Sequence, residues 1–96
     1  MTPVRERDVE KAFVKAVKEC GGICPKFTSP GTAGMPDRMV LLPGGCVAFA
    51  ELKRKGEKPR PIQVRRHEEL RRLGFRVYVI DDTDAIGEVL HEIQGA

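Results

Sequence analysis

Hydrophobic positions near the start of the chain recur every three or four residues. The repeating positions are Val9, Ala12, Phe13, Ala16, Val17 and Cys20. This spacing places them on one face of an amphipathic helix, which we predict over residues 5–20. Gly21-Gly22 follows directly and would end the helix, because glycine readily adopts the left-handed conformation found at helix ends.

The same periodicity predicts two further helices. The first runs from Ile62 to Leu73, where Gly74 would end it. The second begins after Asp82 or Thr83, either of which can cap a helix through its side-chain oxygen. The buried stripe of this last helix would consist of Ile86, Val89, Leu90 and Ile93.

Runs of apolar and β-branched residues predict four strands. These strands are Ile23–Thr28, Asp37–Leu42, Cys46–Lys53 and Phe75–Ile80. Pro43-Gly44-Gly45 would join the middle two as a hairpin. The Cys46–Lys53 strand is apolar on both faces until its last three residues, which is typical of an interior strand covered by helices. Pro25 favours an edge position for the first strand, since proline cannot donate to a sheet ladder.

The predicted order is therefore helix, three strands, helix, strand, helix. This α-β-β-β-α-β-α order belongs to the α/β class, with a small mixed sheet flanked by helices on both faces. A chain of 96 residues can build one small core. Because neither a repeat nor a long linker divides the sequence, we expect a single domain over residues 1–96.

Composition excludes several classes of protein. The chain is 41% hydrophobic and 32% charged, as in ordinary soluble domains. Its apolar runs are all shorter than the roughly 20 residues of a membrane span, and its charged N-terminus is unlike a signal peptide. Cys20, Cys24 and Cys46 have neither metal-site spacing nor a histidine pair beside them. We therefore expect free thiols, a cytoplasmic location and no membrane partner.

Positive charge is concentrated in one part of the chain. The segment Glu51–Arg76 contains ten Lys or Arg residues and four Glu, a net charge of +6 within a chain of net charge +3. Such a segment indicates a polyanionic partner. On charge alone, a solvated surface helix explains it equally well. Aromatic residues make up only 5% of the chain, which gives little support to a platform for stacking single-stranded bases.

Charged residues stand at the ends of the predicted hairpin strands. Asp37 begins one strand, and Glu51 and Lys53 end the other. Removing an ionised group from water costs several kcal/mol unless it is paired or binds a metal. Two carboxylates from neighbouring strand ends could share a divalent cation, with the Leu52 carbonyl as a further ligand. Hard oxygen ligands favour Mg²⁺ or Mn²⁺. A lysine beside such an ion could orient a water molecule, and this combination suits phosphodiester hydrolysis.

Polar residues on the helices could contribute to the same site. Glu10 lies beside the apolar stripe of the first helix, either at its boundary with water or aimed inward at a cationic group. Gln63, His67 and Leu70 share one face of the second helix, so Gln63 is predicted to point toward the sheet. We interpret His67 as a packed or partly hydrated histidine, because no second metal ligand sits at a suitable spacing.

These motifs resemble the stand-alone VRR-NUC domains of phages and bacteria, which belong to the PD-(D/E)xK nuclease superfamily. The resemblance covers nearly the whole chain. The matching segments are Pro36-Asp37, Glu51-Leu52-Lys53, Lys58 to Gln63, and the triplet Val64-Arg65-Arg66. The first helix is similar to the one that opens archaeal Holliday junction resolvases.

The resemblance implies a restriction-endonuclease-like fold and a Mg²⁺- or Mn²⁺-dependent nuclease that cuts DNA according to its structure. It also implies a homodimer acting on four-way junctions. In this chain, Asp37 and Glu51 would bind the metal, Glu10 would complete the site, Lys53 would position the water, and Gln63 would hydrogen-bond to the site. Glu6, one helical turn earlier, competes with Glu10 for the role of the helix acid.

Phosphate contacts are expected from the basic segment and from one loop. The connector–helix surface comprises Arg54, Lys55, Lys58, Arg60, Arg65 and Arg66. Ser29 and Thr32 lie in a loop of small residues whose backbone amides could approach phosphate, although such a loop can also simply connect two elements.

Other functions are compatible with the same residues. The chain could be a DNA-binding module with a vestigial nuclease site, a nuclease for flap or duplex DNA, or a scaffold whose basic helix binds an acidic protein. In the purely structural alternative, Asp37 is a turn residue and Glu51 and Lys53 form a surface ion pair at a strand end.

Overall fold

Three helices surround a three-stranded sheet in the computed structural model, which describes residues 5–95. The helices and strands in chain order are α1 Glu6–Glu19, β1 Arg38–Leu42, β2 Cys46–Leu52, α2 Pro61–Arg72, β3 Arg76–Ile80 and α3 Ile86–Ile93. A short 3₁₀ turn, Thr83–Ala85, precedes α3. Asp82 caps this turn by accepting a hydrogen bond from the Asp84 backbone N–H at 2.9 Å.

The sheet is mixed and has β2 at its centre. β1 pairs with β2 in antiparallel orientation, and β3 pairs with β2 in parallel orientation. The parallel pair requires a crossover, which α2 provides. From Ala48 to Leu52 every residue of β2 is buried. The prediction of an interior strand with two apolar faces is therefore confirmed.

The predicted strand Ile23–Thr28 is not formed, although the segment lies beside β1 at the edge of the sheet, as Pro25 predicts. The segment Ile23–Thr28 forms only two isolated bridges to β1, Ile23 with Leu41 and Lys26 with Arg38. Pro25 lies between them and has no N–H to donate, so a continuous ladder cannot form. The sheet therefore has three strands where four were predicted. The other predicted strand boundaries, and those of the first two helices, differ from the observed ones by at most one residue.

The face of the sheet covered by α1 and α3 contains most of the apolar core. Val9, Phe13 and Val17 of α1 are completely buried there, as the periodicity of the helix predicts. The core also includes Cys24, Val40, Leu42, Ala48, Ala50, Leu52, Ile80, Ile86, Val89, Leu90 and Ile93. Side chains alternate along a strand, so the even-numbered residues of β1 and β2 point to this face.

The face covered by α2 has a smaller apolar cluster of Phe49, Leu70 and Val77. The Phe49 ring packs edge-on against Phe27 and Phe75, with centroids 5.8 and 5.9 Å away. Met35 and Met39 pack against this cluster. The buried polar residues of the protein also lie on this side, toward the end of β2: Glu51, Lys53, Gln63 and His67. Among residues 5–95, no helix combines the length and apolarity needed to cross a membrane.

Candidate active site

Asp37 and Glu51 meet where β1 begins and β2 ends. The antiparallel register pairs Arg38 with Ala50 and Met39 with Phe49. Extending it by one residue places Asp37 opposite Glu51, at the short separation of cross-strand neighbours. Asp37 Oδ2 also accepts a hydrogen bond from the Leu52 backbone N–H at 3.0 Å. The hairpin itself thus brings the two carboxyl groups together.

The Glu51 carboxyl is buried among polar partners. Its residue is only 1% exposed. Oε2 accepts a hydrogen bond from Gln63 Nε2 at 3.2 Å and lies 3.9 Å from Lys53 Nζ. Oε1 lies 3.3 Å from His67 Nε2. A buried carboxyl group held on both oxygens has a fixed orientation, as a catalytic or metal-binding group requires.

Burial is the main cause that raises the pKa of Glu51, from 4.5 to about 8. A side-chain hydrogen bond with Asp37 and repulsion between the two carboxylates raise this pKa further, while Lys53 lowers it. Two carboxyl groups this close cannot both be ionised cheaply without a nearby cation. This donor set therefore fits a divalent cation, whose charge would offset the repulsion.

Gln63 is fixed at both ends of its amide group. Its Oε1 accepts a hydrogen bond from the Arg60 backbone N–H at 2.8 Å, which satisfies a free donor at the start of α2. Its Nε2 then points to Glu51. The loop of residues 29–34 packs tightly against the beginning of α2, since a Cβ on Gly34 would lie 2.6 Å from the Ile62 carbonyl oxygen. The predicted inward orientation of Gln63 is confirmed.

His67 is packed, in line with the sequence interpretation, but it also contacts Glu51, a partner that the sequence interpretation did not assign. The residue is 1% exposed and its Nε2 faces Glu51. Burial, followed by the nearby charges of Arg71 and Lys53, lowers the pKa of His67 and favours the neutral ring. A neutral ring protonated at Nε2 can donate to the carboxylate. The sequence does contain a signal for this contact, because His67 lies one helical turn after Gln63 on the helix face that is predicted to point toward the sheet.

The two candidate helix acids have different surroundings. Glu10 accepts hydrogen bonds from Arg38 Nη2 at 3.0 Å and Nε at 3.2 Å. Arg38 also donates to the Cys24 carbonyl oxygen at 2.7 Å, so this ion pair ties α1 to the sheet. Burial and then Asp37 raise the pKa of Glu6. The carboxylate of Glu6 therefore senses the Asp37 charge, whereas that of Glu10 is engaged by Arg38.

A cavity of about 320 Å³ opens beside Asp37. Its lining includes Glu6 and Glu10 of α1 and residues 26–28. Within residues 5–95, no group of three or more His, Cys, Asp or Glu side chains is arranged to hold a metal ion by itself. A cation bound by Asp37 and Glu51 would therefore need additional ligands.

The predicted phosphate-binding residues differ in their availability. Lys58 and Arg65 are exposed and make no ion pair within residues 5–95, and the same is true of Arg54 and Arg60. Lys55 is paired with Asp82. Arg66 is paired with Glu69. These two side chains are therefore less available for phosphate than the four exposed ones.

Arg66 holds the predicted phosphate loop against α2. Its Nε donates to the Ala33 carbonyl oxygen at 3.0 Å, and its Nη1 bonds Glu69 at 2.7 Å. Ser29 and Thr32 close a turn in the same loop, where the Thr32 N–H donates to the Ser29 carbonyl oxygen at 3.1 Å. The loop and the beginning of α2 therefore form one continuous surface.

Comparison with known proteins gives two informative similarities. The chain is 49% identical over 84 residues to "Putative nuclease p44" of Acyrthosiphon pisum secondary endosymbiont phage 1, covering 88% of this chain and 90% of that protein. It is also similar to a solved structure described as a VRR_NUC domain, with a TM-score of 0.84 and 31% identity over 92% of this chain and 96% of the other. No protein-family model matches the sequence.

Proposed function

This chain belongs to the VRR-NUC family of nucleases, and from that premise we propose that it is a Mg²⁺- or Mn²⁺-dependent endonuclease that cuts branched DNA as a homodimer. The observation that carries the proposal is the juxtaposition of Asp37 and Glu51 with Lys53. Two carboxylates, one of them buried, and an adjacent ammonium group form the constellation needed to hydrolyse a phosphodiester.

Asp37 and Glu51, with the Leu52 carbonyl oxygen, would hold the divalent cation. The raised pKa of Glu51 supports this assignment, because a cation would replace the proton that otherwise relieves the repulsion. Mg²⁺ commonly binds through one or two carboxylates and takes its other ligands from water and phosphate. When bound, the ion would supply Lewis-acid activation of the phosphate and of a water molecule.

Lys53 has the role of orienting the attacking water and offsetting negative charge on the phosphate oxygens. Its side chain is 11% exposed, so its position is restrained while its ammonium group can still meet a ligand. Gln63 and His67 are positioning residues, since both act through hydrogen bonds to Glu51. Partners of this kind fix the orientation of metal-binding carboxylates.

For the acid supplied by α1, Glu6 and Glu10 remain the two candidates. Both line the cavity beside Asp37. Repulsion from Asp37 contributes to the raised pKa of Glu6, which favours this residue. The hydrogen bonds from Arg38 give Glu10 a structural role, because they hold α1 against the sheet. We therefore assign Glu6 to the active site and Glu10 to the attachment of α1.

DNA would be held by the connector–helix surface and by the loop that contains Ser29 and Thr32. Phosphate contacts give affinity that does not depend on base sequence and that falls as salt concentration rises. Four residues are the best placed for this role, because they are exposed and form no ion pair with the part of the chain that the structure describes: Arg54, Lys58, Arg60 and Arg65. Lys55 and Arg66 would have to exchange their present partners for phosphate.

A homodimer follows from the number of active sites. Symmetric resolution of a four-way junction needs two cuts, and one chain of this length supplies one site. The free thiols of Cys20, Cys24 and Cys46 and the phage origin of the relative support action in the cytoplasm of a bacterial host.

The direct test is cleavage of labelled four-way junction, flap and linear duplex with Mg²⁺, Mn²⁺ or EDTA, together with the solution mass of the protein. We expect metal-dependent nicking that is fastest on the junction, and a mass twice that of one chain. Equal cutting of all three substrates would refute selectivity for branched DNA. Absence of cutting on every substrate, with junction binding intact, would instead favour a binding module with a vestigial site.

A further inference from the structure

A second basic groove follows α1, separate from the connector–helix surface. Its volume is about 670 Å³. The groove is lined by Glu10, Lys11, Val14, Lys15, Lys18, Glu19 and Arg38. We refer to it as the α1 groove. Neither the catalytic arrangement nor the predicted phosphate contacts use its lysines.

The balance of charge in the α1 groove favours an anionic ligand. Arg38 and Glu10 neutralise each other through their ion pair. The other charged residues that line the groove are three lysines and one acid, Glu19. Lys11, Lys15 and Lys18 are exposed, and within residues 5–95 none of them forms an ion pair. Their spacing of four and three residues places them in one row along the helix.

The α1 groove continues the cavity of the candidate active site. Glu10 lines both of them. Lys26 adds a further cation to the wall of the active-site cavity. Since α1 and α2 cover opposite faces of the sheet, the α1 groove and the connector–helix surface flank the Asp37–Glu51 pair from two sides.

We propose that the α1 groove binds the sugar–phosphate backbone of the DNA substrate on the side of the scissile phosphate opposite α2. This inference rests on the proposed nuclease function. From Lys11 to Lys18 the helix rises about 10 Å, which equals the axial rise of roughly three base pairs of DNA. The lysine stems and Val14 provide an apolar floor, and the ammonium groups reach the phosphates.

The test compares two variants that each remove two positive charges, Lys11→Gln/Lys15→Gln in the groove and Arg72→Gln/Arg76→Gln at the distant end of α2 and on β3. Junction binding is measured with Ca²⁺ at several salt concentrations. The groove variant should bind about tenfold more weakly near 0.1 M salt, with a salt slope smaller by about 2. At subsaturating protein its single-turnover rate should fall together with its affinity, because the lysines hold the DNA that is cut.

Lys11→Arg/Lys15→Arg keeps both charges and should restore binding. The inference is overturned if the groove variant binds the junction with wild-type affinity, or if the Arg72/Arg76 control loses as much affinity as the groove variant. Either result would mean that the groove binds an acidic protein or has no ligand. If the wild-type protein neither binds nor cuts branched DNA, the proposed function itself fails, and that result is distinct from a loss confined to the groove variant.

Measuring binding to junctions whose arms differ in length gives an independent check. Shortening the junction arms should weaken binding by the wild type more than binding by the groove variant, because the variant has already lost the outer contacts. An equal loss in the two proteins contradicts placement of the arm along α1.

Discussion

The two faces of the sheet differ in what they bury. The face covered by α1 and α3 buries apolar side chains almost exclusively. The α2 side contains Phe49, Leu70 and Val77, and close to them the buried polar residues Glu51, Lys53, Gln63 and His67. The first face supplies most of the apolar burial, whereas the second has less apolar packing and contains the candidate active site. This contrast explains how so small a chain can carry a buried carboxyl group.

Removing a large side chain from the apolar face should have the largest effect on stability. Phe13 is completely buried, so Phe13→Ala should lower the free energy of unfolding by about 3–5 kcal/mol through lost burial and a cavity. Phe75→Ala is the matched control, since Phe75 is 45% exposed and should cost about 1 kcal/mol. Urea denaturation measures both. Similar losses would contradict the assignment of the core to the α1/α3 face.

On the polar side, a neutral substitution should stabilise the metal-free protein. The pKa of Glu51 is about 8 in the folded protein and 4.5 without its environment. The folded state therefore retains a proton that the unfolded state releases, and stability falls as pH rises from 4.5 through 8. In EDTA at pH 8, Glu51→Gln should raise the free energy of unfolding by an amount on the order of a few kcal/mol.

The pH series distinguishes this effect from a general gain in packing. The advantage of Glu51→Gln should shrink steadily as the pH is lowered toward 5, where the wild-type carboxyl is already protonated. Thermal unfolding at each pH measures it. A gain that is independent of pH, or a loss of stability at pH 8, would show that the buried carboxyl is not strained in the metal-free state.

Loss of a Glu51 partner should reduce activity more than stability. His67→Ala removes the group that faces Glu51 Oε1, and we expect a 10- to 100-fold fall in the single-turnover rate or in apparent metal affinity. Leu70→Ala alters the same helix face without touching Glu51. It should lower the melting temperature but leave the rate unchanged below that temperature. His67→Gln, which retains a donor, should recover part of the lost activity.

The smallest effects should separate the two acids of α1. Glu10→Gln breaks a partly buried ion pair and should cost about 1 kcal/mol of stability with little change in cleavage. Glu6→Gln should do the reverse, slowing cleavage while the melting temperature stays constant. Parallel melting curves and cleavage rates measure the difference. If Glu10→Gln instead slows cleavage and Glu6→Gln instead lowers stability, Glu10 is the active-site acid.

Much of this arrangement can be predicted from sequence because periodicity reports which side of an element is buried. The stripe of α1 and the apolar run of β2 predict their burial directly. The pairing of Asp37 with Glu51 follows from a hairpin whose turn is marked by Pro43-Gly44-Gly45. In these places local pattern and tertiary contact agree, so the sequence is sufficient.

The remaining features depend on contacts between distant residues. Nothing local to His67 reveals that Glu51 lies across from it, and the bonds from Arg38 to Glu10 join residues 28 positions apart. The segment at Ile23–Thr28 has the composition of a strand, yet Pro25 leaves it with two bridges. Pattern identifies the elements, whereas side-chain partners emerge only once the elements are packed.

We propose that Asp37 and Glu51 bind a metal that is required for cutting DNA. The most direct measurement is single-turnover cleavage of a four-way junction by the wild type and by Asp37→Asn, with junction binding measured on the same samples. The wild type should cut with Mg²⁺ or Mn²⁺ and not with EDTA. Asp37→Asn should bind the junction but cut about a thousandfold more slowly, the effect of losing several kcal/mol of transition-state stabilisation. Cutting by the wild type in EDTA, or by Asp37→Asn at the wild-type rate, would contradict the claim.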